Sequence, residues 1–140
     1  MTRHSTTAAL LLLAALLAAG CKGERCDTPF GEGGELDLLQ PDFFGIYNTP
    51  GATLAVNRGH KGILVHCVNL GEYVAFDCAC PVCHDVRLLP DDNTAATLLA
   101  CPVCSSSYDL FFGSPMPGSA GPCPLYQYEA RCMGHTLIIY

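Results

Sequence analysis

The sequence predicts an all-β fold of short strands punctuated as in a sandwich or barrel. Three observations lead there. Short strand signals recur along the chain, at residues 53–56, 61–68, 72–77, 97–100, 108–112, 125–131 and 136–140. Turn dipeptides punctuate them: Pro50-Gly51, Arg58-Gly59, Asp92-Asn93 and Gly121-Pro122. No amphipathic stretch of helical length lies between them. Taken in order, residues 22–34 are charged and glycine-rich, without an apolar period, and read as a tether. Residues 36–47 are more apolar, but Pro41 and Gly45 interrupt them, so they are expected to pack irregularly. Alternation in 61–68 puts Ile63, Val65 and Cys67 on one face and Leu64 and His66 on the other. In 125–131 it turns Tyr126, Tyr128 and Ala130 inward, continued by Cys132.

The N-terminus reads as a targeting segment. Basic Arg3 precedes an apolar run over residues 8–19 that is too short to span a bilayer. Leu17-Ala18-Ala19-Gly20-Cys21 resembles the lipobox of bacterial lipoproteins. The resemblance implies a signal peptide over 1–20, lipid on Cys21, an anchor and tether over 21–35, and a folded domain over 36–140. The expected location is the cell envelope, the membrane being the partner that the lipid engages. Lys22 after the cysteine points to the outer membrane rather than retention at the inner one. An ordinary secretory signal, with Cys21 a bystander, is the alternative.

Removing the first 20 residues leaves 120, enough for one domain. These carry 6 basic and 13 acidic residues, a balance that excludes nucleic acid as a partner. All 10 cysteines lie in this part, a density that in a short exported chain means disulfides, metal or both.

The tetrapeptide Cys-Pro-Val-Cys occurs twice, as Cys80–Cys83 and Cys101–Cys104, with seventeen residues between. A C-x2-C pair aims two thiolates at one point, and two such knuckles complete a tetrahedral four-sulfur site. Cys80, Cys83, Cys101 and Cys104 are therefore the candidate ligands, and soft thiolates select zinc or iron over hard cations. A single Zn2+ would tie the two loops together, whereas oxidation of each pair to a disulfide is the alternative. No catalytic constellation is visible. Asp77, Asp85, Asp91, Asp92 and Asp109 lie beside turns without the pattern of paired acid–base groups.

The segment Cys101-Pro-Val-Cys-Ser-Ser-Ser-Tyr-Asp-Leu110, followed by Gly113 and Gly121-Pro-Cys-Pro-Leu-Tyr-Gln-Tyr128, resembles the second cluster-binding loop and the proline-rich loop of the Rieske fold. Gly62-Ile-Leu-Val65 and Tyr73-Val-Ala-Phe-Asp77 precede the first cysteine loop in the family's order, and the likeness is to small Rieske-like lipoproteins of the Bacteroidetes type. It implies a Rieske-like antiparallel β-sandwich with a small ribbon-like metal-binding subdomain at one end, a 2Fe-2S cluster, electron transfer at the envelope and a redox protein partner. It implies that Asp109 fixes its loop. The chain departs from the family at the ligands. Cys104 stands where the second histidine belongs, and Cys80 and Cys83 replace a C-x-H. All-cysteine ligation would lower a cluster's potential towards about −400 mV. Two readings follow, a 2Fe-2S electron carrier and a non-redox envelope protein holding zinc or disulfides. His84 is expected as a solvent-facing loop residue, and His60, His66 and His135 as ordinary strand or turn residues. Of the other cysteines, Cys67 and Cys132 share an inward orientation and either pair or stay as buried thiols. Rieske topology would bring Cys78 near the loop carrying Cys123, while Cys26 stays free or pairs with another molecule.

Overall fold

The computed structural model describes residues 25–91 and 97–140. The expected signal segment, the expected lipidation site Cys21 and the turn expected at Asp92-Asn93 lie outside the described residues. The described elements are β1 (Gly34–Asp37), a 3₁₀ turn (Phe44–Ile46), β2 (Thr53–Val56), β3 (Ile63–Asn69), β4 (Glu72–Asp77), β5 (Leu89–Pro90), β6 (Leu98–Ala100), β7 (Ser107–Asp109), β8 (Gln127–Tyr128), β9 (Ala130–Met133) and β10 (Thr136–Ile139). There is no α-helix among the described residues. The strands pair antiparallel in three sheets, ordered β1-β10-β9, β2-β3-β4-β8 and β5-β6-β7.

The four-stranded sheet is the middle of the molecule because β3 is apolar on both sides. Ile63, Val65 and Cys67 join Leu36, Ala75, Tyr128, Leu137 and Ile139 in one core. Leu64 faces a second core of Phe76, Cys78, Leu88, Leu99, Tyr108, Leu110 and Leu125. Alternation thus sorts β3 as expected, but both of its faces are covered. Each core is built by one neighbouring sheet, and the second is roofed by the cysteine loops.

Three expectations are corrected. The strand expected at 125–131 is two strands. Tyr128 ends β8 in the central sheet, and Ala130 opens β9, which pairs with β10 instead. One segment thereby serves two sheets and makes a corner of the sandwich. Tyr126, Ala130 and Cys132 pack against the first core, the inward set the alternation indicated. The strand expected at 108–112 stops at Asp109, whose carboxylate accepts hydrogen bonds from the N–H groups of Phe111 (3.0 Å), Phe112 (2.7 Å) and Ser114 (2.9 Å). This is a side-chain-closed turn, the loop-fixing role expected of that residue.

The third correction concerns the tether. Gly34–Asp37 is a strand, with Gly34 opposite Ile139 and Leu36 opposite Leu137. Gly33 is needed there, since a Cβ would lie 2.2 Å from the Ile139 carbonyl oxygen. Upstream, Cys26 forms a disulfide with Cys123, so it is not free. The Thr28 hydroxyl donates to the Pro124 carbonyl at 3.0 Å, and Phe30 stacks on Tyr126 at 4.2 Å between ring centres. Cys67, Cys78 and Cys132 are free thiols.

His66 is only 4% exposed, its Nδ1 has no hydrogen-bond partner among the described residues, and its ring meets Phe111 edge-on at 5.3 Å. Burial lowers its pKa, against an opposing hydrogen bond with the Ala52 backbone. The unfolded chain therefore takes up this proton more readily than the folded one. Stability from neutral His66 is present above the unfolded value of about 6.5 and is lost as pH falls below it. The urea midpoint of the wild type should fall further than that of His66→Leu between pH 7.5 and pH 5; parallel losses would contradict this.

Candidate metal centre

Two loops at one end of the central sheet carry the cysteine pairs. The first leaves β4 after Asp77 and returns to β5. Its backbone is closed by hydrogen bonds from Cys78 N to Gly62 O (2.8 Å), Cys80 N to Val86 O (2.9 Å) and Leu88 N to Cys78 O (2.7 Å). The second joins β6 to β7 and is closed by Cys101 N to Ser106 O at 2.8 Å. Within each, the same turn is built. His84 N donates to Cys80 O at 2.8 Å, and Ser105 N donates to Cys101 O at 3.1 Å. The residue after the second cysteine is left-handed in both, with φ of 55° at His84 and 60° at Ser105. That region is sparsely used by residues other than glycine, and its occurrence at equivalent places marks one knuckle made twice.

The turns bring Cys80, Cys83, Cys101 and Cys104 together as the spacing indicated. All four Sγ atoms lie within 4.8 Å of one another. Cys80 Sγ is 3.7 Å from Cys104 Sγ, and Cys83 Sγ is 3.9 Å from Cys101 Sγ. None is in a disulfide, and these contacts run between the loops rather than within them. Four sulfurs about 2.3 Å from a tetrahedral ion stand about 3.8 Å apart. Two tetrahedra sharing an edge, the frame of a 2Fe-2S cluster, would hold sulfurs of different metals about 5.3 to 6.5 Å apart at the same bond length. The donor set therefore fits one ion and is too compact for two.

The surroundings fit the same group. Cys83 N donates to Cys80 Sγ at 3.5 Å, and Ser106 Oγ lies 3.2 Å from Cys104 Sγ while accepting from Ala120 N at 2.9 Å. The Tyr108 hydroxyl is buried beside Cys80 and Ser106 and has no partner in hydrogen-bond geometry among the described residues. A thiolate at Cys80 would supply the missing acceptor. Burial opposes ionisation of Cys104, yet hydrogen bonds from the Ser106 side chain and backbone outweigh it and bring the thiol down to about 6. Cys83 is pushed up to about 12 by desolvation and then by the thiols of Cys104 and Cys101. The Ser106 hydrogen bonds thus favour the thiolate at Cys104, and binding a cation releases protons from the thiols that ligate it.

Asp77, Ser106 and Tyr108 complete the site, and the spacing of the cysteines does not point to them. Asp77 is fully buried at the root of the first loop. Its Oδ1 accepts from Lys61 N (3.2 Å) and Ala79 N (2.9 Å), and its Oδ2 from His60 N (2.6 Å) and the Tyr128 hydroxyl (2.7 Å). Gly59 packs so closely here, at a φ of 73°, that a Cβ would meet Asp77 Oδ2 at 2.5 Å. His84 is exposed, as expected. His60 pairs with Asp85 at 3.3 Å and His135 with Asp37 at 3.9 Å, and neither histidine belongs to the cluster of sulfurs. Val82 (39% exposed) and Val103 (68% exposed) form the tip of the knuckles.

No family model matches the chain, and no curated protein does. Among solved structures it is similar to the ferredoxin of carbazole 1,9a-dioxygenase from Nocardioides aromaticivorans IC177, at 16% identity and a TM-score of 0.44, over 65% of this chain and 86% of that one. A ferredoxin of Sphingomonas yanoikuyae B1 matches at 21% identity and 0.44, with the same coverage. A complex of reduced oxygenase and oxidized ferredoxin in carbazole 1,9a-dioxygenase matches at 18% and 0.44, over 66% of this chain and 91% of the other.

Proposed function

We propose that this chain is a metal-binding lipoprotein of the bacterial cell envelope whose four cysteines hold one ion, zinc in the first instance. The observation that carries this is the compactness of the sulfurs, all within 4.8 Å of one another. Closed tetrathiolate sites are the structural class of zinc site. Here the ion would tie the loop after β4 to the loop after β6 and complete the second core. The lipobox-like Leu17–Cys21 segment supports lipid attachment at Cys21, and the Cys26–Cys123 disulfide supports an oxidising compartment.

A second reading, electron transfer to a protein partner, is favoured by the half-buried Cys83 and Cys104 behind exposed Val82 and Val103, and by the Rieske-like order of segments. A single iron would satisfy the same sulfur geometry. A 2Fe-2S cluster would require the two loops to move apart.

Metal analysis separates the readings. The chain is produced with iron, sulfide and zinc all supplied, and purified without air. One zinc per chain and no visible absorption is the expected result. One iron with charge-transfer bands selects the electron carrier, and two irons with acid-labile sulfide contradict the one-ion site.

A further inference from the structure

We propose that the metal-bearing tip faces the membrane and rests on the lipid surface. The inference rests on lipid attachment at Cys21. Cys26, five positions along the chain from Cys21, is bonded to Cys123. Four residues lie between Cys21 and Cys26, and extended chain over those five steps reaches at most about 17 Å. The domain is therefore on a short leash, and the place where the leash is fixed sets which end lies down.

That place is the metal end. Cys123 belongs to the loop between β7 and β8, which packs on both knuckles. Ala120 N donates to Ser106 Oγ at 2.9 Å, and Ser107 N donates to Ser119 Oγ at 3.1 Å. Gly121 lies so close to the first knuckle that a Cβ there would be 3.1 Å from Val82 Cγ2. Segment 28–31 extends the attachment through Thr28 on Pro124 and Phe30 on Tyr126.

The surface at this end suits a lipid headgroup layer. Pro102 and Val103 are exposed, Val82 is partly so, and residues 113–124 contain no charged side chain. The nearby acid Asp85 is paired with His60 at 3.3 Å and Lys61 at 3.7 Å. The rest of a strongly acidic chain would be held away from anionic lipid by its charge. Leu70, 67% exposed in the β3–β4 turn, marks the far end, roughly 23 Å along β3 at about 3.3 Å per residue.

The chain has no tryptophan, so a single one reports its own surroundings. Full-length Val103→Trp and Leu70→Trp are produced in the membrane, extracted and reconstituted into phosphatidylethanolamine–phosphatidylglycerol vesicles with brominated acyl chains. Mass analysis of the extracted chain reports lipid on Cys21. Quenching at least twofold stronger for Val103→Trp than for Leu70→Trp is expected, falling towards equality when Cys26 and Cys123 are both changed to serine. Should Val103→Trp lose its metal, Val82→Trp serves as the tip probe. Lipidated chain with equal quenching at both ends, or stronger quenching at Leu70→Trp, overturns the orientation alone. Chain without lipid overturns the anchored reading and the orientation with it.

Discussion

Replacing Cys101 with serine should empty the metal site and lower the thermal midpoint by about 15 °C. An ion at a thousandfold excess over its dissociation constant stabilises the folded state by about 4 kcal/mol. In a domain of this size each kcal/mol moves the midpoint by about 4 °C. Cys101 is 2% exposed and faces Cys83 at 3.9 Å, so serine keeps the volume and loses the soft ligand. Chelated wild type should fall to the same midpoint as Cys101→Ser, and added zinc should raise only the wild type. Cys132→Ser, a free thiol outside the site, should keep its metal. Equal midpoints and metal content for Cys101→Ser and wild type would remove the ion from the account of stability.

Asp77→Ala is the second large effect, a loss of about 4 kcal/mol in denaturant unfolding at neutral pH. Alanine leaves the N–H groups of His60, Lys61 and Ala79 without their acceptor, each within a buried or half-buried region, and leaves the Tyr128 hydroxyl only the Gly31 carbonyl at 3.1 Å. Every buried donor so stranded costs about 1–3 kcal/mol. Asp77→Asn should lose about 2–3 kcal/mol, because its amide turns one accepting oxygen into a donor aimed at two donors. Tyr128→Phe removes one bond to the carboxylate and should lose about 1.5 kcal/mol. This order, alanine then asparagine then Tyr128→Phe, tests the hub. Three equal losses would reduce Asp77 to a space-filling role.

The order of the strands and the two knuckles was legible because each rests on local signals. Period-two alternation sorted Ile63, Val65 and Cys67 from Leu64, and the repeated Cys-Pro-Val-Cys picked out the four cysteines that the loops bring together. What stayed hidden depends on partners far along the chain. Gly34–Asp37 spans the end of the expected tether and the start of an expected irregular segment until β10 supplies its hydrogen bonds, and Cys26 looks free until the β7–β8 loop presents Cys123. The corner at Glu129 is invisible in a segment whose alternation runs unbroken through it. Asp77 reads as one more turn carboxylate, since three of its four donors come from the neighbouring loop and from β8. The resemblance to a cluster-binding family located the loops but not the nuclearity of the metal, which depends on distances between sulfurs that no spacing encodes.

The central claim is that the four cysteines hold a single ion. X-ray absorption at the metal edge of the purified holoprotein tests it most directly. One shell of four sulfurs at about 2.3 Å, with no second metal atom nearby, is the predicted result. A short metal–metal vector, or a shell filled out by nitrogen or oxygen in place of a sulfur, would contradict it.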